Sequence, residues 1–115
     1  MFEFKIKKED IKKIIDETGA CIVSNQILFD GKKVGYMYRE NPSVEYNDSG
    51  WRFFSGDETD EYCNNPENFN IVELNTLCNY DNSVINLLKS KITVAYIRDK
   101  NGCFVEEKTN NEEKI

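Results

Sequence analysis

The stretch 50–62 constrains the fold more than any other part of the chain. It opens on an aromatic run around Trp51, the only tryptophan, and then passes through a glycine into four carboxylates within five residues. Large aromatic side chains anchor cores, and successive side chains of a strand point to opposite faces of its sheet. We therefore predict a central strand here, with Trp51 and Phe53 buried and with Arg52 and Phe54 on the other side.

Length and composition fit a single domain. A chain of 115 residues has the size of one ordinary domain and can bury roughly two thirds of its unfolded surface. Hydrophobic residues make up 39% and charged residues 31%, which is typical of a globular protein rather than a disordered one. We predict a single α+β domain, with a mainly antiparallel sheet of about five strands covered by two or three helices.

The periodicity of the apolar residues sets the first boundary. Ile11, Ile14 and Ile15 form one stripe, which predicts a helix over 9–18 within an N-terminal lead-in that occupies 1–19. The remaining boundaries that we predict are 20–106 for the domain and 107–115 for a polar tail.

Turn dipeptides divide the rest of the chain into strands. Asp30-Gly31 and Asn101-Gly102 supply the positive φ angles of hairpin turns. Asp81 is a good N-cap for a helix over 82–89, while 71–75 fits either a strand or a helix. The strands that these signals predict are 20–29 (as two short strands or as one strand with a bulge), 32–39, 51–55, 92–98 and 103–106.

The charge balance limits the partners. The net charge is −6 and the pI is about 4.7, so the chain lacks the clustered Lys and Arg that nucleic acids and anionic membranes require. A basic protein is the partner that this charge favours, mainly through faster encounter. The carboxylates of Asp57, Glu58, Asp60 and Glu61 lie on a long connection, and such connections often bind partners. A solvated crossover fits the same pattern equally well.

The residue types exclude most catalytic and metal-binding chemistry. The chain has no histidine, so Ser-His and Cys-His pairs are impossible. The four cysteines Cys21, Cys63, Cys78 and Cys103 lack the spacing of a zinc site, and the acidic stretch lacks the EF-hand pattern. Since no apolar export signal opens the sequence, we expect a cytoplasmic protein with four reduced, buried thiols and with no cofactor or metal.

Arg52 has two interpretations. Its guanidinium can pair internally with a carboxylate such as Asp57 or Glu58, or it can anchor a carboxylate of a partner. The internal pairing is the simpler interpretation, because the stem of a strand arginine covers apolar surface while its head finds a carboxylate nearby.

Five segments together carry a resemblance to a known family. They read VGYMYRExP from Val34, DSGWRFFSGDE from Asp48, EY from Glu61, NxxxNYD from Asn75 and RDxxGxFV from Arg98. Over residues 20–106 this pattern resembles the DUF2185 family, also described as the immunity protein Imm33 family. The resemblance implies a bacterial cytosolic protein that neutralises a polymorphic toxin, and it brings no catalytic residues.

These observations favour a non-enzymatic protein that binds a cognate toxin domain, of basic character, and blocks its active site. We expect the contacts to come from an acidic and aromatic surface. Its candidate residues are Tyr36, Tyr38, Arg52, Asp57, Glu58, Asp60, Glu61 and Tyr62. Two alternatives stay open at this point: a housekeeping binding module for a small ligand or another cytosolic protein, and an enzyme that uses the carboxylates.

Overall fold

A six-stranded sheet dominates the computed structural model, which describes residues 3–107. The strands are β1 (Ala20–Ser24), β2 (Tyr36–Arg39), β3 (Asp48–Phe54), β4 (Phe69–Glu73), β5 (Ala95–Arg98) and β6 (Phe104–Glu106). The helices are α1 (Asn25–Leu28), α2 (Asp60–Cys63) and α3 (Leu74–Tyr80), with 3-10 helices at Lys8–Asp10, Pro66–Asn68 and Asn82–Leu87. The strand order is β4-β1-β3-β2-β5-β6. The predicted α+β class is confirmed, and the sheet has one strand more than expected.

β3 lies inside the sheet, where it pairs in parallel with β1 and antiparallel with β2. Trp51 and Phe53 are fully buried, and their rings stack with centroids 5.9 Å apart. The indole Nε1 of Trp51 donates to the carbonyl oxygen of Leu88 at 3.1 Å, directly after the last 3-10 helix. The central strand and the burial of its tryptophan are therefore confirmed.

α1, α3, the last 3-10 helix and the N-terminal segment cover the face of the sheet that carries Trp51. Ile27 from α1 and Leu77 from α3 belong to the same buried cluster as Trp51, and so do Val84 and Ile15. Burying such side chains contributes about 1.5–3 kcal/mol each to the free energy of unfolding. The core therefore lies entirely on one side of the sheet, which determines what the other side can do.

The helix predicted over 9–18 is wrong. Only Lys8–Asp10 forms a 3-10 helix, and the residues from 11 to 19 have no regular structure. The reason lies in two asparagines of α3, which bind this segment through its backbone. Asn75 Oδ1 accepts from the N–H of Ile14 at 2.8 Å, and Asn79 Oδ1 accepts from the N–H of Lys12 at 3.0 Å. A helix this short depends on tertiary contacts, and here those contacts favour an open backbone.

The hairpin predicted at Asp30-Gly31 is also wrong. β1 pairs with β3 and with β4, and residues 25–28 turn away from the sheet as α1. The polar Ser24-Asn25-Gln26 run begins this helix rather than bending a strand, because Ser24 Oγ accepts from the N–H of Gln26 at 3.1 Å as an N-cap. Ile27 and Leu28 follow on the buried side of that helical turn.

Asp81 caps the next helix as predicted. Its Oδ1 accepts from the N–H of Ser83 at 3.1 Å. Its Oδ2 accepts from the N–H of Val34 at 3.0 Å and from Nη2 of Arg98 at 2.9 Å. The helix that Asp81 begins, Asn82–Leu87, is a 3-10 helix and is shorter than expected. One buried carboxylate thus joins this helix to β5 and to the segment just before β2.

The C-terminal hairpin is confirmed in a modified form. β5 and β6 pair antiparallel, and Gly102 has a φ of 85° in the turn between them. The strand expected over 92–98 begins only at Ala95, because Thr93 has a φ of 83° that a strand cannot continue. The stretch 71–75, for which a strand and a helix were both possible, contains parts of both, because β4 ends at Glu73 and α3 begins at Leu74. The predicted tail, apart from its first residue, lies outside the described residues.

Candidate functional site

The face of the sheet opposite the core carries a continuous aromatic surface. Its five rings are those of Tyr36, Tyr38, Phe54, Tyr62 and Phe69. Neighbouring centroids are 5.9 Å apart between Tyr36 and Tyr38, 5.9 Å between Tyr38 and Phe54, 5.7 Å between Phe54 and Phe69, and 5.9 Å between Phe69 and Tyr62. All five residues are partly buried, so each ring keeps some accessible surface.

Strand register explains why these rings meet. Tyr36 lies opposite Phe54, and Tyr38 lies opposite Arg52, whereas the intervening Met37 lies opposite Phe53 in the core. Because successive side chains of a strand point to opposite faces, the residues before and after a core position are directed away from the core. Phe54 and the tyrosines of β2 therefore share the uncovered side.

Aliphatic side chains extend this surface to both edges of the sheet. Ile71 on β4 is 57% exposed, Ile97 on β5 is 44% exposed and Val105 on β6 is 49% exposed. Register places Ile71 beside Ile22, and it places Ile97 between Tyr36 and Val105. We call the five rings and these aliphatic residues the open face. Large exposed apolar patches on a soluble protein mark interaction sites.

Carboxylates border the open face at the end occupied by α2. Asp60 and Glu61 are exposed in the first turn of this helix, where Thr59 Oγ1 caps the N–H of Tyr62 at 3.1 Å. Asp57 is exposed as well, and its Oδ2 lies 3.2 Å from Nζ of Lys32. No hydrogen bond or ion pair within residues 3–107 engages the side chains of Asp60 and Glu61. These two carboxylates are available to a partner.

Two further carboxylates lie close to the tyrosines of β2. Burial raises the pKa of Tyr36, and the nearby Glu107 raises it further. Burial and then Glu40 have the same effect on the pKa of Tyr38. Both glutamates are exposed, so the aromatic surface has acidic neighbours along β2 as well as at α2.

The lysines of the N-terminal segment lie on the other side of the molecule. Five exposed lysines lie between residues 5 and 13, and this segment is bound to α3, which covers the core face. Five carboxylates within residues 3–17 balance these lysines, so the N-terminal segment carries no net charge.

Glu58, a predicted contact residue, is occupied by its own loop. Its Oε2 accepts from the N–H of Ser55 at 2.8 Å, and its Oε1 accepts from the N–H of Gly56 at 2.9 Å. Burial opposes ionisation of this carboxyl, but these bonds and one from the Ser24 side chain lower its pKa. We assign Glu58 to holding the loop after β3 rather than to contacting a partner.

Arg52, another predicted contact residue, pairs internally, although not with Asp57 or Glu58. Its guanidinium donates to both oxygens of Asp48, at 2.9 and 2.8 Å, and to Oε2 of Glu40 at 2.6 Å. The side chains of Arg52 and Asp48 are 7% and 0% exposed. Hydrogen bonds from Arg52 hold the pKa of Asp48 well below its usual range, against the opposing effect of burial. This geometry gives Arg52 a structural role.

A groove of about 610 Å³ runs along one side of the open face. Tyr36 and Ile97 line it from the sheet, and Asp57 and Cys63 line it from the segment that contains α2, with Phe54 between them. The groove therefore combines ring surface with a carboxylate in one concave site.

The thiols and carboxylates do not form a metal site in the described part of the chain. Within residues 3–107 there is no group of three or more cysteines and acidic residues arranged to hold a metal ion. All four cysteines are free, but only Cys21 and Cys78 are buried, whereas Cys63 and Cys103 are exposed. Burial raises the pKa of Cys78 to about 11 and also raises that of Cys21. The expectation of four buried thiols is thus wrong for two of them.

Sequence reasoning missed several members of the open face. Phe69, Ile71, Ile97 and Val105 were not among the candidates, although each occupies the outward position of a short strand. Alternation within those strands could have found them, but only with the knowledge of which face the helices cover. The candidates that the structure does bring together are Tyr36, Tyr38 and Tyr62, with Asp57, Asp60 and Glu61 beside them.

Comparison with known protein families adds the decisive observation. The family model described as the immunity protein Imm33 domain matches residues 21–108, which is most of the chain. The chain belongs to the Imm33 family of immunity proteins. No curated protein and no solved structure matches it. In this Imm33 protein the open face, α2 and the Arg52 network all lie inside the matched region, and the N-terminal segment lies outside it.

The polar side chains of the segment from Asn75 to Asp81 in this Imm33 protein make hydrogen bonds within the fold. Asn75 and Asn79 bind the backbone of the N-terminal segment, and Tyr80 Oη accepts from the N–H of Ile6 at 3.2 Å. Asp81 joins the strand segments described above. Within residues 3–107, no helix has the length and apolar character needed to cross a membrane.

Proposed function

We propose that this protein neutralises a cognate toxin by binding it directly and without catalysis, with the open face and the adjacent carboxylates as the contact surface. The observation that carries the proposal is the open face, whose rings and aliphatic side chains keep accessible surface from β4 at one edge of the sheet to β6 at the other, in a chain of an immunity family. Such a face is costly to leave in water unless a partner covers it.

The charge pattern indicates the kind of toxin surface that fits. Asp57, Asp60 and Glu61 can stand in for an anionic substrate at a basic active site, so binding would block that site by occlusion. Glu107 extends the negative potential along β2, whereas the charge of Glu40 is paired with Arg52. Complementary charge speeds encounter and selects the partner more than it adds affinity, while the rings supply the buried area.

The proposed setting is the cytoplasm of the bacterium that produces the toxin. A basic toxin domain is the partner, and the net charge of −6 makes nucleic acid and anionic membranes poor alternatives. The mechanism needs neither a cofactor nor a metal ion, because occlusion requires surface complementarity alone.

Salt dependence tests the role of the carboxylates that border the open face. Exposed charges are screened over about 8–10 Å at physiological ionic strength, so association with the cognate toxin domain should slow steeply as salt rises. The double variant Asp60→Asn/Glu61→Gln should associate a few-fold more slowly at low salt and show a flatter salt dependence. Its thermal stability should stay close to that of the wild type, since exposed carboxylates contribute little. Stopped-flow kinetics at several salt concentrations measures these rates.

The double variant Glu9→Gln/Asp10→Asn is the matched control. It removes the same charge from an exposed position on the N-terminal segment, far from α2 in the chain. We expect its salt dependence to stay near that of the wild type. Equal salt slopes for the two double variants would contradict a local role for α2. A toxin domain that does not bind at all would contradict the proposed function and favour the housekeeping binding module.

A further inference from the structure

We propose that the open face recognises arginine side chains of its partner in preference to lysine. This inference rests on the proposed function, in that it names the chemistry that the same surface accepts. It concerns three rings, Tyr36, Tyr38 and Phe54, together with the carboxylates that border them.

The three rings form a shallow aromatic floor. Tyr38 and Phe54 are nearly parallel, with an angle of 13° between their planes and 5.9 Å between their centroids. Tyr36 is tilted by 43° and 45° relative to them at similar distances. Because the rings are only partly buried, a flat group can lie against them. A guanidinium is planar, is weakly hydrated and stacks on ring faces, whereas an ammonium is compact and strongly hydrated.

The carboxylates around the floor match the hydrogen-bonding geometry of arginine, whose guanidinium donates through several N–H groups. Glu107 is close enough to Tyr36, and Glu40 to Tyr38, to raise the pKa of each tyrosine after burial has done so. Asp57 lines the groove beside Tyr36. Glu107 can therefore accept the fork of N–H groups of a guanidinium stacked on the rings. The second oxygens of Glu40 and Asp57 can each accept one more bond, since their first oxygens accept from Arg52 and Lys32.

The protein already uses this arrangement internally. The guanidinium of Arg98 lies 4.1 Å from the centroid of the Phe104 ring while its Nη2 donates to Asp81 at 2.9 Å. The guanidinium of Arg39 lies 5.8 Å from the Trp51 ring. In the part of the chain that the structure describes, the arginine–ring contacts involve these two rings and none of the three rings of the floor. A second copy of the chain is a poor occupant, because the bordering carboxylates of the two copies would face each other.

Two peptides of equal charge, hexa-arginine and hexa-lysine, test this inference without a toxin. We expect hexa-arginine to bind the full-length protein about five-fold or more tightly than hexa-lysine, since a weakly hydrated guanidinium stacks on ring faces and several such contacts can form. The aromatic resonances of Tyr36 and Phe54 should shift in an NMR titration, with intermolecular NOEs to arginine side-chain protons. The double variant Tyr36→Leu/Tyr38→Leu should bind both peptides equally.

Phe4→Leu is the matched control, because it removes an aromatic side chain that is 45% exposed elsewhere and should leave the preference intact. Equal affinities of the wild type for the two peptides would overturn the inference, as would NOEs confined to residues outside the open face. Should the tyrosine variant unfold, the NOEs of the wild type alone decide. Neither negative result contradicts the proposed function, because that function is tested with the toxin domain itself.

Discussion

We expect Arg52→Met to lower the free energy of unfolding by about 3–5 kcal/mol, because it removes one partner of a buried ion pair and leaves the other charged. The Asp48 side chain is 0% exposed, and both of its oxygens accept from Arg52. Two backbone N–H groups, of Ser43 and Gly50, also donate to Asp48, so the loss spreads to the turn before β3. Urea denaturation followed by circular dichroism measures the change.

The pH dependence of stability distinguishes the loss of this ion pair from a simple loss of packing. The pKa of Asp48 is lower in the folded protein than in the unfolded chain, where it is near 3.9. The pair therefore stabilises the fold above about pH 4, and this contribution is lost as the pH falls further toward the folded-state pKa. The difference in stability between the wild type and Arg52→Met should consequently shrink below about pH 4.

Lys13→Met is the control for this comparison. It breaks the Lys13–Asp16 ion pair, whose side chains are 80% and 102% exposed at a distance of 3.7 Å. Exposed pairs contribute roughly 0–1 kcal/mol, so this variant should unfold close to the wild type. Equal losses for Arg52→Met and Lys13→Met would show that the buried network adds nothing to stability.

Trp51→Ala should also lower the free energy of unfolding by about 3–5 kcal/mol, since it opens a cavity at the centre of the core. The indole is fully buried, stacks on Phe53 and donates to the carbonyl of Leu88. A loss of this size is a large part of the stability of an ordinary domain, so the variant should melt far below the wild type. Circular dichroism is the appropriate probe, because the variant has no tryptophan left to fluoresce.

Trp51→Phe separates the contribution of the hydrogen bond from that of the ring. It keeps an aromatic ring but loses the bond to Leu88, and we expect it to lower the free energy of unfolding by about 1–3 kcal/mol. An unchanged melting temperature for Trp51→Ala would contradict the burial of Trp51 and the assignment of this side of the sheet to the core.

The sequence predicts the centre of the fold better than its N-terminal third. Period-two alternation around Trp51 identifies β3 and its buried side, and Asp81 is recognised as a cap from its position alone. Both signals are local. By contrast, the isoleucine stripe at 11–15 indicates a helix, but Asn75 and Asn79 bind that backbone from more than 60 residues away. A contact of that kind overrides local propensity, and no local pattern contains it.

The hairpin at Asp30-Gly31 fails for a related reason. A turn dipeptide between two apolar runs indicates a hairpin only when the runs pair with each other. Here β1 pairs with β3 and β4 instead, and Ile27 and Leu28 are buried by helix formation. Strand partners depend on the whole topology, which spacing alone does not specify.

The residue types of the candidate site were predictable from the sequence, but the full set of its residues and their contacts was not. The aromatic alternation of Tyr36 and Tyr38 and the acidic run after Gly56 are visible in the sequence. The fixed roles of Arg52 and Glu58 depend on Asp48 and on backbone N–H groups that only the folded chain brings into place.

Methyl NMR of the complex with the cognate toxin domain tests the central claim most directly. We expect binding to shift the methyl resonances of Ile71, Ile97 and Val105, which lie on the open face and are about half exposed. Ile14 is 44% exposed on the segment that binds α3 on the core side of the sheet, and it serves as an internal control that should not move. A shift at Ile14, with Ile71, Ile97 and Val105 unchanged, would contradict the open face as the binding surface.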